Sequence, residues 1–385
     1  MKTMLRLAIS AVVLCWVLPR PLLALPRFAA MTGQKCQSCH VNPSGGSMRQ
    51  ALGAQYGRED LPVPAWAGDY QLDDLSNAIT NFLGVGADFR TLYFSEQVPS
   101  ASSTGTSSNQ NAFFQMQGDL YLNFRVAKKV NVFLKKGLTN GYEVFGLLSM
   151  IPADGYVKIG KFIPDFGTKL DDHTFFIRRV TGFSPEAGRP ELTGGELAVS
   201  PGPFTIVGGM YNAEDGIPSA GNKKAFLGRA EGMFKLSADM NLGLGTDVFT
   251  GLLNLEQLGT PVPIASFGGT ATTMYGGFGS FGCGPFSLLG EADWIKPRDG
   301  GVSPTGLVTY LEGNYVLTQG VDLKLAYDFY DPDISLKTGS ETRYTVGVEF
   351  FPFSGVELRP EYRIVKDMPV ELKNNEFDLM FHIYL

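Results

Sequence analysis

Cysteine, histidine, charge and long apolar runs are all scarce in this chain of 385 residues. Four cysteines and three histidines are too few to suggest a zinc site built from two ligand pairs. Charged residues make up 18%, with a formal net charge of −6, so nothing in the composition indicates a nucleic-acid binder. No helix-length apolar run follows residue 24, which argues against a helical membrane span in the body of the chain.

Residues 1–24 have the pattern of a secretory signal peptide. Lys2 and Arg6 form a basic start, residues 7–18 an apolar core, and Ala24 a small residue for cleavage. Small residues also occur at 29–30, so the cleavage position stays open within a few residues. Removing this segment takes away three basic residues and no acids, which moves the formal net charge from −6 to −9.

The pentapeptide Cys36-Gln37-Ser38-Cys39-His40 follows the signal closely and has the form C-x-x-C-H. This spacing is typical of covalent attachment of one c-type haem, because two thiols three residues apart can bond the two vinyl-derived carbons of one porphyrin. His40 is then held beneath the iron as its proximal ligand. A redox disulfide or half a zinc site is the alternative, but no βαβ pattern and no second ligand pair accompany the motif.

From residue 111 onward, polar and apolar residues alternate with the period of a β-strand. The same alternation recurs at 322–329, 343–350 and 357–364, and the chain ends in an alternating segment at 375–385. In the first segment, one parity holds Phe114, Met116, Gly118, Leu120, Leu122, Phe124 and Val126, and the other holds Gln115, Gln117, Asp119, Tyr121, Asn123 and Arg125.

Segment length and turn pattern favour a membrane barrel over a soluble sandwich. The segments run to about 9–13 residues, the length that a tilted strand needs to cross a bilayer. Short turns alternate with long loops along the chain, as in outer-membrane barrels whose short turns are periplasmic. We therefore predict an all-β transmembrane antiparallel barrel of about 16 strands, with residues 163–192 as one long external loop that could fold inward.

The chain divides into three parts on this interpretation. Residues 1–24 are the signal peptide, 25–78 a monohaem cytochrome c-like plug with its linker, and 79–385 the outer-membrane barrel. About fifty residues are too few for a self-sufficient core. We therefore expect the plug to depend on the haem and the barrel wall, and to lie in the lumen or at its mouth.

The distal ligand of the haem iron is left open by the sequence. His173, in the long loop, is the first candidate, and hydrogen bonding to a neighbouring aspartate is the competing role for it. Met48 is the second candidate, although a chain only eight residues beyond His40 would have to wrap tightly around the haem edge. His382, on the lumen-facing parity of the last strand, and an open site are the remaining alternatives.

The signal, the segment 28–33 leading into Cys36–His40, and the barrel together resemble the fused cytochrome–porins of bacterial outer membranes, whose best-known members are linked to Fe(II) oxidation. The resemblance implies covalent haem at Cys36 and Cys39 and iron ligation by His40. Residues 41–46 depart from the pattern of the Fe(II)-oxidising members, so an oxidoreductase role towards Fe(II) stays open.

Three functions are compatible with this architecture. The first is electron transfer across the outer membrane between a periplasmic cytochrome or other redox carrier and an extracellular donor or acceptor. The second is a diffusion porin whose haem plug is a gate or sensor. The third is a haem enzyme such as a peroxidase, which requires an open distal site.

Overall fold

The computed structural model is a closed barrel of sixteen antiparallel strands, in which β1 pairs with β2 on one side and with β16 on the other. It describes residues 26–64, 77–98, 108–137, 141–170, 172, 174–183, 191–212, 224–252, 271–297, 304–370 and 374–385. The predicted fold class and strand number are confirmed. Because the barrel is closed, no strand has a free edge whose backbone N–H and C=O groups would be left unpaired in the membrane.

In the part of the chain that the structure describes, four short helices accompany the strands. The helices are α1 (Pro26–Thr32), α2 (Cys36–Cys39), α3 (Ala51–Glu59) and α4 (Phe176–Thr181). The strands are β1 (Leu83–Val98), β2 (Ser108–Ala127), β3 (Val130–Gly137), β4 (Tyr142–Ile151), β5 (Gly155–Phe162), β6 (Leu192–Val199), β7 (Phe204–Asn212), β8 (Lys224–Lys235), β9 (Met240–Leu252), β10 (Ala271–Cys283), β11 (Phe286–Pro297), β12 (Gly306–Thr318), β13 (Val321–Asp331), β14 (Glu341–Phe353), β15 (Val356–Asp367) and β16 (Glu376–Tyr384).

The wall of the barrel is apolar outside and charged inside. Leu120 and Leu325 on the outer face are 65% and 61% exposed, whereas Asp119, Asn123 and Asp328 on the inner face are buried. This arrangement is the reverse of a water-soluble protein and is the one that a lipid environment requires. Among the described helices, none has the length and apolar character needed to cross a bilayer.

One stretch of β2 departs from the predicted facing. Met116 was expected on the outer face with Leu120, but it lies inside against Leu92 and Met380. The cause is an irregularity of the ladder, in which Arg90 pairs with Gln117 and the next residue of β1 pairs with Gln115. A β-bulge of this kind shifts the alternation by one residue and reverses which side chains face the lumen.

The turns that join β2–β3, β4–β5, β6–β7, β8–β9, β10–β11, β12–β13 and β14–β15 contain two to four residues each, and we call them the short-turn rim. Residues 26–64 lie against this rim, inside the barrel mouth. Lys35 Nζ donates to the carbonyls of Gly202 and Phe204, each at 3.0 Å. Ser354 Oγ donates to the Arg58 carbonyl at 2.9 Å, which ties α3 to the β14–β15 turn. We refer to residues 26–64 as the plug.

The loop between β5 and β6 folds into the lumen, as predicted, and its helix α4 occupies part of a segment that superficially resembles a strand. Its backbone is held by carboxylates of the wall. The N–H of Gly167 donates to Asp247 at 2.6 Å, and the N–H of Phe176 donates to Asp328 at 2.8 Å. Because these carboxylates come from β9 and β13, the loop spans the lumen rather than lying along its own strands.

Candidate functional site

The C-x-x-C-H segment forms one helical turn, α2, closed by a hydrogen bond from the His40 N–H to the Cys36 carbonyl at 3.0 Å. His40 then pairs with Arg49 in an isolated antiparallel bridge. The Val41 N–H donates to the Met48 carbonyl at 3.0 Å, so the pair His40–Arg49 is of the type whose side chains emerge close together on one side. The segment is therefore a short β-hairpin with two facing residue pairs, His40–Arg49 and Val41–Met48, and it directly follows α2.

The two thiols of the motif are free of a disulfide. Desolvation inside the plug raises the pKa of Cys36 to about 12, and it also raises the pKa of Cys39. The thiolate is the form that binds zinc and attacks disulfides, so protonated thiols are poorly suited to either role. Of the alternatives to haem attachment, thiol exchange is therefore disfavoured by the burial of the thiols. For zinc, the described residues bring no group of three or more histidine, cysteine, aspartate or glutamate side chains together.

The imidazole of His40 is in the state that iron ligation needs. Burial, with a further contribution from Arg49, lowers the pKa of His40 to about 4, so the ring is neutral at physiological pH. Its Nδ1 is buried and makes no hydrogen bond to any part of the chain that the structure describes. A neutral imidazole is the form in which histidine binds a metal ion.

Two cavities meet at His40. The thiol cavity, of about 40 Å³, is lined by Cys36, Cys39 and His40. The lumen cavity, of about 130 Å³, is lined by His40 with Arg49 and Lys169 and by parts of the wall. The boundary residues common to both are Pro26, His40, Gly45, Gly46 and Lys169.

Two glycines form part of the boundary that the two cavities share. Gly45 has a φ of +91°, which favours glycine, and a Cβ on it would lie 3.4 Å from the Cys36 sulfur. A Cβ on Gly46 would project into open space. The thiols, the imidazole and this side-chain-free strip fit a haem attached at Cys36 and Cys39 and ligated by His40.

Two of the candidate distal ligands, Met48 and His382, lie in different places. Met48 points to the side of the hairpin opposite His40, where a Cβ added to Gly84 of β1 would meet its methyl carbon at 2.6 Å. The ring nitrogens of His382 are 2.9 Å from Glu357 and 3.0 Å from Asp88. His173 falls outside the described residues.

The segment around His173 is nevertheless tied into the lumen. Asp172 forms salt bridges with Arg359 at 3.4 Å and Arg363 at 3.1 Å, both on β15. Leu170, three residues before His173, lines the lumen cavity together with His40. The loop that carries His173 therefore reaches the cavity that His40 faces.

Sequence reasoning missed the charged lining of the lumen cavity. Arg49 comes from the plug, Lys169 and Arg178 from the inward loop, and Asp88 and Arg90 from β1. The lumen-facing parity of β1 is the only sequence signal for any of them. Nothing in the local sequence brings these three segments together.

The fold defines the class as a porin-type β-barrel. Three solved structures are similar over 79% of the chain: the outer-membrane channel DcaP of Acinetobacter baumannii, OmpT of Vibrio cholerae, and an anion-selective porin from Comamonas acidovorans. Their TM-scores are 0.54, 0.53 and 0.54, their identities 11%, 11% and 12%, and the alignments cover 97%, 97% and 99% of those chains. The sequence matches no protein-family model and no curated protein.

Proposed function

We propose that this protein carries electrons across the bacterial outer membrane through one c-type haem bound to Cys36 and Cys39, with His40 as the proximal iron ligand. When bound, the haem iron supplies a centre that takes up and releases one electron. The barrel insulates that centre from lipid, and the plug holds it near the short-turn rim.

The observation that carries this proposal is the position of the C-x-x-C-H segment. Its thiols and neutral imidazole adjoin two neighbouring cavities inside a barrel whose outer face is apolar. A thiol pair of this spacing in an exported chain is the attachment pattern of haem c. The lumen placement favours a role tied to the membrane over that of a freely diffusing cytochrome.

We propose His173 as the distal ligand. The contacts of Leu170 and Asp172 bring its loop to the cavity in front of His40. Met48 would have to leave its packing against β1, and His382 would have to leave two carboxylates, before either could reach the iron. Two histidine ligands predict a low-spin iron with a lower potential than a histidine–methionine pair.

The partners follow from the orientation of the barrel. With the short turns on the periplasmic side, a periplasmic cytochrome or other redox carrier meets the plug at the short-turn rim. The extracellular donor or acceptor, Fe(II) being one candidate donor, approaches through the long-loop side. Electron flow in either direction is compatible with this arrangement.

Haem content is the direct test of the proposal. The protein purified from outer membranes should retain a covalent haem in denaturing gels and give the pyridine haemochrome spectrum of haem c. A Cys36→Ala/Cys39→Ala variant should lose the haem, whereas Ser38→Ala, which alters a spacer position of the same motif, should keep it. Wild-type protein without covalent haem would refute the proposal.

The distal ligand is tested separately by spectroscopy. His173→Ala should convert the low-spin spectrum to a high-spin one, while Met48→Ala and His382→Ala should leave it low-spin. A low-spin spectrum in His173→Ala would assign the ligand elsewhere. A wild-type haem that is high-spin and reacts with peroxide would instead indicate an open site and a peroxidase-type activity.

A diffusion porin with a haem-containing gate is the second candidate, and the porin-type fold favours it. The plug and the inward loop both occupy the lumen of this barrel. Electron transfer therefore predicts small or undetectable ion currents in planar bilayers. Large, stable channels would favour the porin function.

A further inference from the structure

We infer that the lumen cavity seats the propionate edge of the haem, with Arg49 and Lys169 as the residues that hold its carboxylates. The inference rests on the proposed haem attachment and deepens it. It fixes which edge of the cofactor faces the lumen and assigns a role to two cations outside the C-x-x-C-H motif.

Arg49 is placed to meet an anion beside His40. The antiparallel bridge puts the two side chains on the same side of the hairpin. The Arg49 guanidinium lies 4.2 Å from the centre of the Tyr384 ring, and its Nη1 is buried without a hydrogen-bond partner among the described residues. A buried guanidinium N–H that lacks an acceptor is costly, and a carboxylate is the acceptor that satisfies it best.

Lys169 reaches the same cavity from the inward loop. Its Nζ donates to the Pro164 carbonyl at 2.7 Å. The neighbouring carboxylate, Asp165, is paired with Arg229 at 3.8 Å. Burial and the neighbouring Arg178 lower the pKa of Lys169 to about 8. Lys158 and Arg229 lower this pKa further and Asp165 opposes them, so an additional negative charge in the cavity would stabilise the ammonium.

The carboxylates of the cavity are already engaged. Its described lining contains five cationic side chains and two carboxylates, Asp88 and Glu143. Glu143 accepts from Lys135 at 3.3 Å. Asp88 lies 3.0 Å from His382 and accepts from the Tyr121 hydroxyl at 2.7 Å. Lys135 is paired with Glu143, and Arg90 and Arg178 also have partners, so the cations that remain for a ligand are Arg49 and Lys169. Two cations match a ligand that brings two carboxylates.

The arrangement of the two neighbouring cavities sets the orientation of the cofactor. The propionates of a haem lie on the edge opposite the two carbons that form thioethers. A porphyrin held by Cys36 and Cys39 in the thiol cavity would pass the strip at Gly45 and Gly46 and direct its opposite edge into the lumen cavity. The thioether edge then faces the short-turn rim, where a soluble redox partner arrives.

The test compares midpoint potentials of the haem-loaded, full-length protein. A cation beside the propionates disfavours the ferric state, so Arg49→Gln and Lys169→Gln should each lower the potential. We expect about a tenfold change in the redox equilibrium, or about 59 mV for one electron. Arg49→Lys, which keeps the positive charge, should lower the midpoint potential less than Arg49→Gln does. Lys136→Gln, which removes an exposed lysine of β3, should match the wild type.

Two further measurements test whether the cavity holds the haem propionates or a diffusing anion. The propionate bending bands in resonance Raman spectra should shift in Arg49→Gln and Lys169→Gln but not in Lys136→Gln. Acetate titrated into the wild type should leave the potential unchanged, because the haem's own carboxylates fill the site. A saturable response to acetate would assign the site to a diffusing anion and overturn the inference.

Haem content distinguishes this inference from the proposed function. Normal haem content with unchanged potentials and unchanged bending bands in both variants would refute the propionate site and leave haem attachment intact. Absence of covalent haem from the wild type would refute both.

Discussion

Replacing Arg27 by alanine should release the plug from the barrel. Arg27 lies in α1 and is buried in the lumen, where its guanidinium contacts Glu349 of β14. It also lies 3.4 Å from Asp322 of β13 and 3.5 Å from the Asn314 side-chain oxygen. The Arg27→Ala variant would leave two buried carboxylates facing the plug without this cation.

The size of the effect follows from the partners that remain. Removing one member of a buried ion pair costs about 3–5 kcal/mol, because the other charge stays buried. Lys324 remains 3.9 Å from Glu349 and compensates part of the lost charge. We therefore expect a cost near the lower limit, about 3 kcal/mol, which corresponds to a roughly 100-fold larger population of undocked plug.

Hydrogen exchange followed by mass spectrometry measures this population directly. In Arg27→Ala, amides of the plug should exchange roughly 100-fold faster, while amides of the wall strands stay protected. Arg125→Ala, at an exposed position of β2, should exchange like the wild type. A double variant that also lacks the Glu349 carboxylate should recover part of the protection. If the amides of the plug in Arg27→Ala exchanged at the same rate as in the wild type, the reasoning would be refuted.

Three other predictions concern processing, the cofactor passage and the loop. The exported protein should begin at Leu25, because residues 27, 28 and 30 are buried in the lumen. N-terminal sequencing checks this prediction, and a start at residue 30 or 31 would contradict the packing. Gly45→Leu should lower haem content several-fold by filling the space beside the Cys36 sulfur, whereas Gly202→Leu, with a φ of +60° but open surroundings, should not. Asp172→Ala should weaken the anchoring of the loop by less than the about 3–5 kcal/mol of an isolated buried ion pair, because Arg359 and Arg363 both keep Glu361, at 3.6 and 2.9 Å. Planar-bilayer currents should then increase, and unchanged currents would contradict a constricting role for the loop.

The strands were predictable because their signal is local. Alternation with a period of two, interrupted by short turns, marks each strand without knowledge of its neighbours. The terminal segment predicted at 375–385 contains β16, Glu376–Tyr384. The segment 172–180 is strand-like in sequence, but a strand there would place the short turn at 201–203 on the long-loop rim, and the structure has α4 at Phe176–Thr181.

Features set by contacts distant in sequence could not be predicted. The facing of Met116 depends on a slip between β1 and β2 that leaves the hydrophobic pattern of β2 unchanged. Arg49 and Lys169 are 120 positions apart in sequence, and they line the same cavity because the loop folds back over the plug. The motif Cys36–His40 identified the expected attachment residues, but the surroundings of that motif are a property of the closed barrel.

The plug rests on both ends of the barrel chain at once. Met48 packs against Gly84 and Gly86 of the first strand, and Arg49 stacks on Tyr384, the last residue of the final strand. Those two strands become neighbours only when β1 pairs with β16. The surface of β1 and β16 that the plug packs against therefore forms only when the barrel closes. This sets the order of the steps in biogenesis. Any cofactor must be attached to a still-unseated segment before insertion is complete, and the finished wall then encloses it.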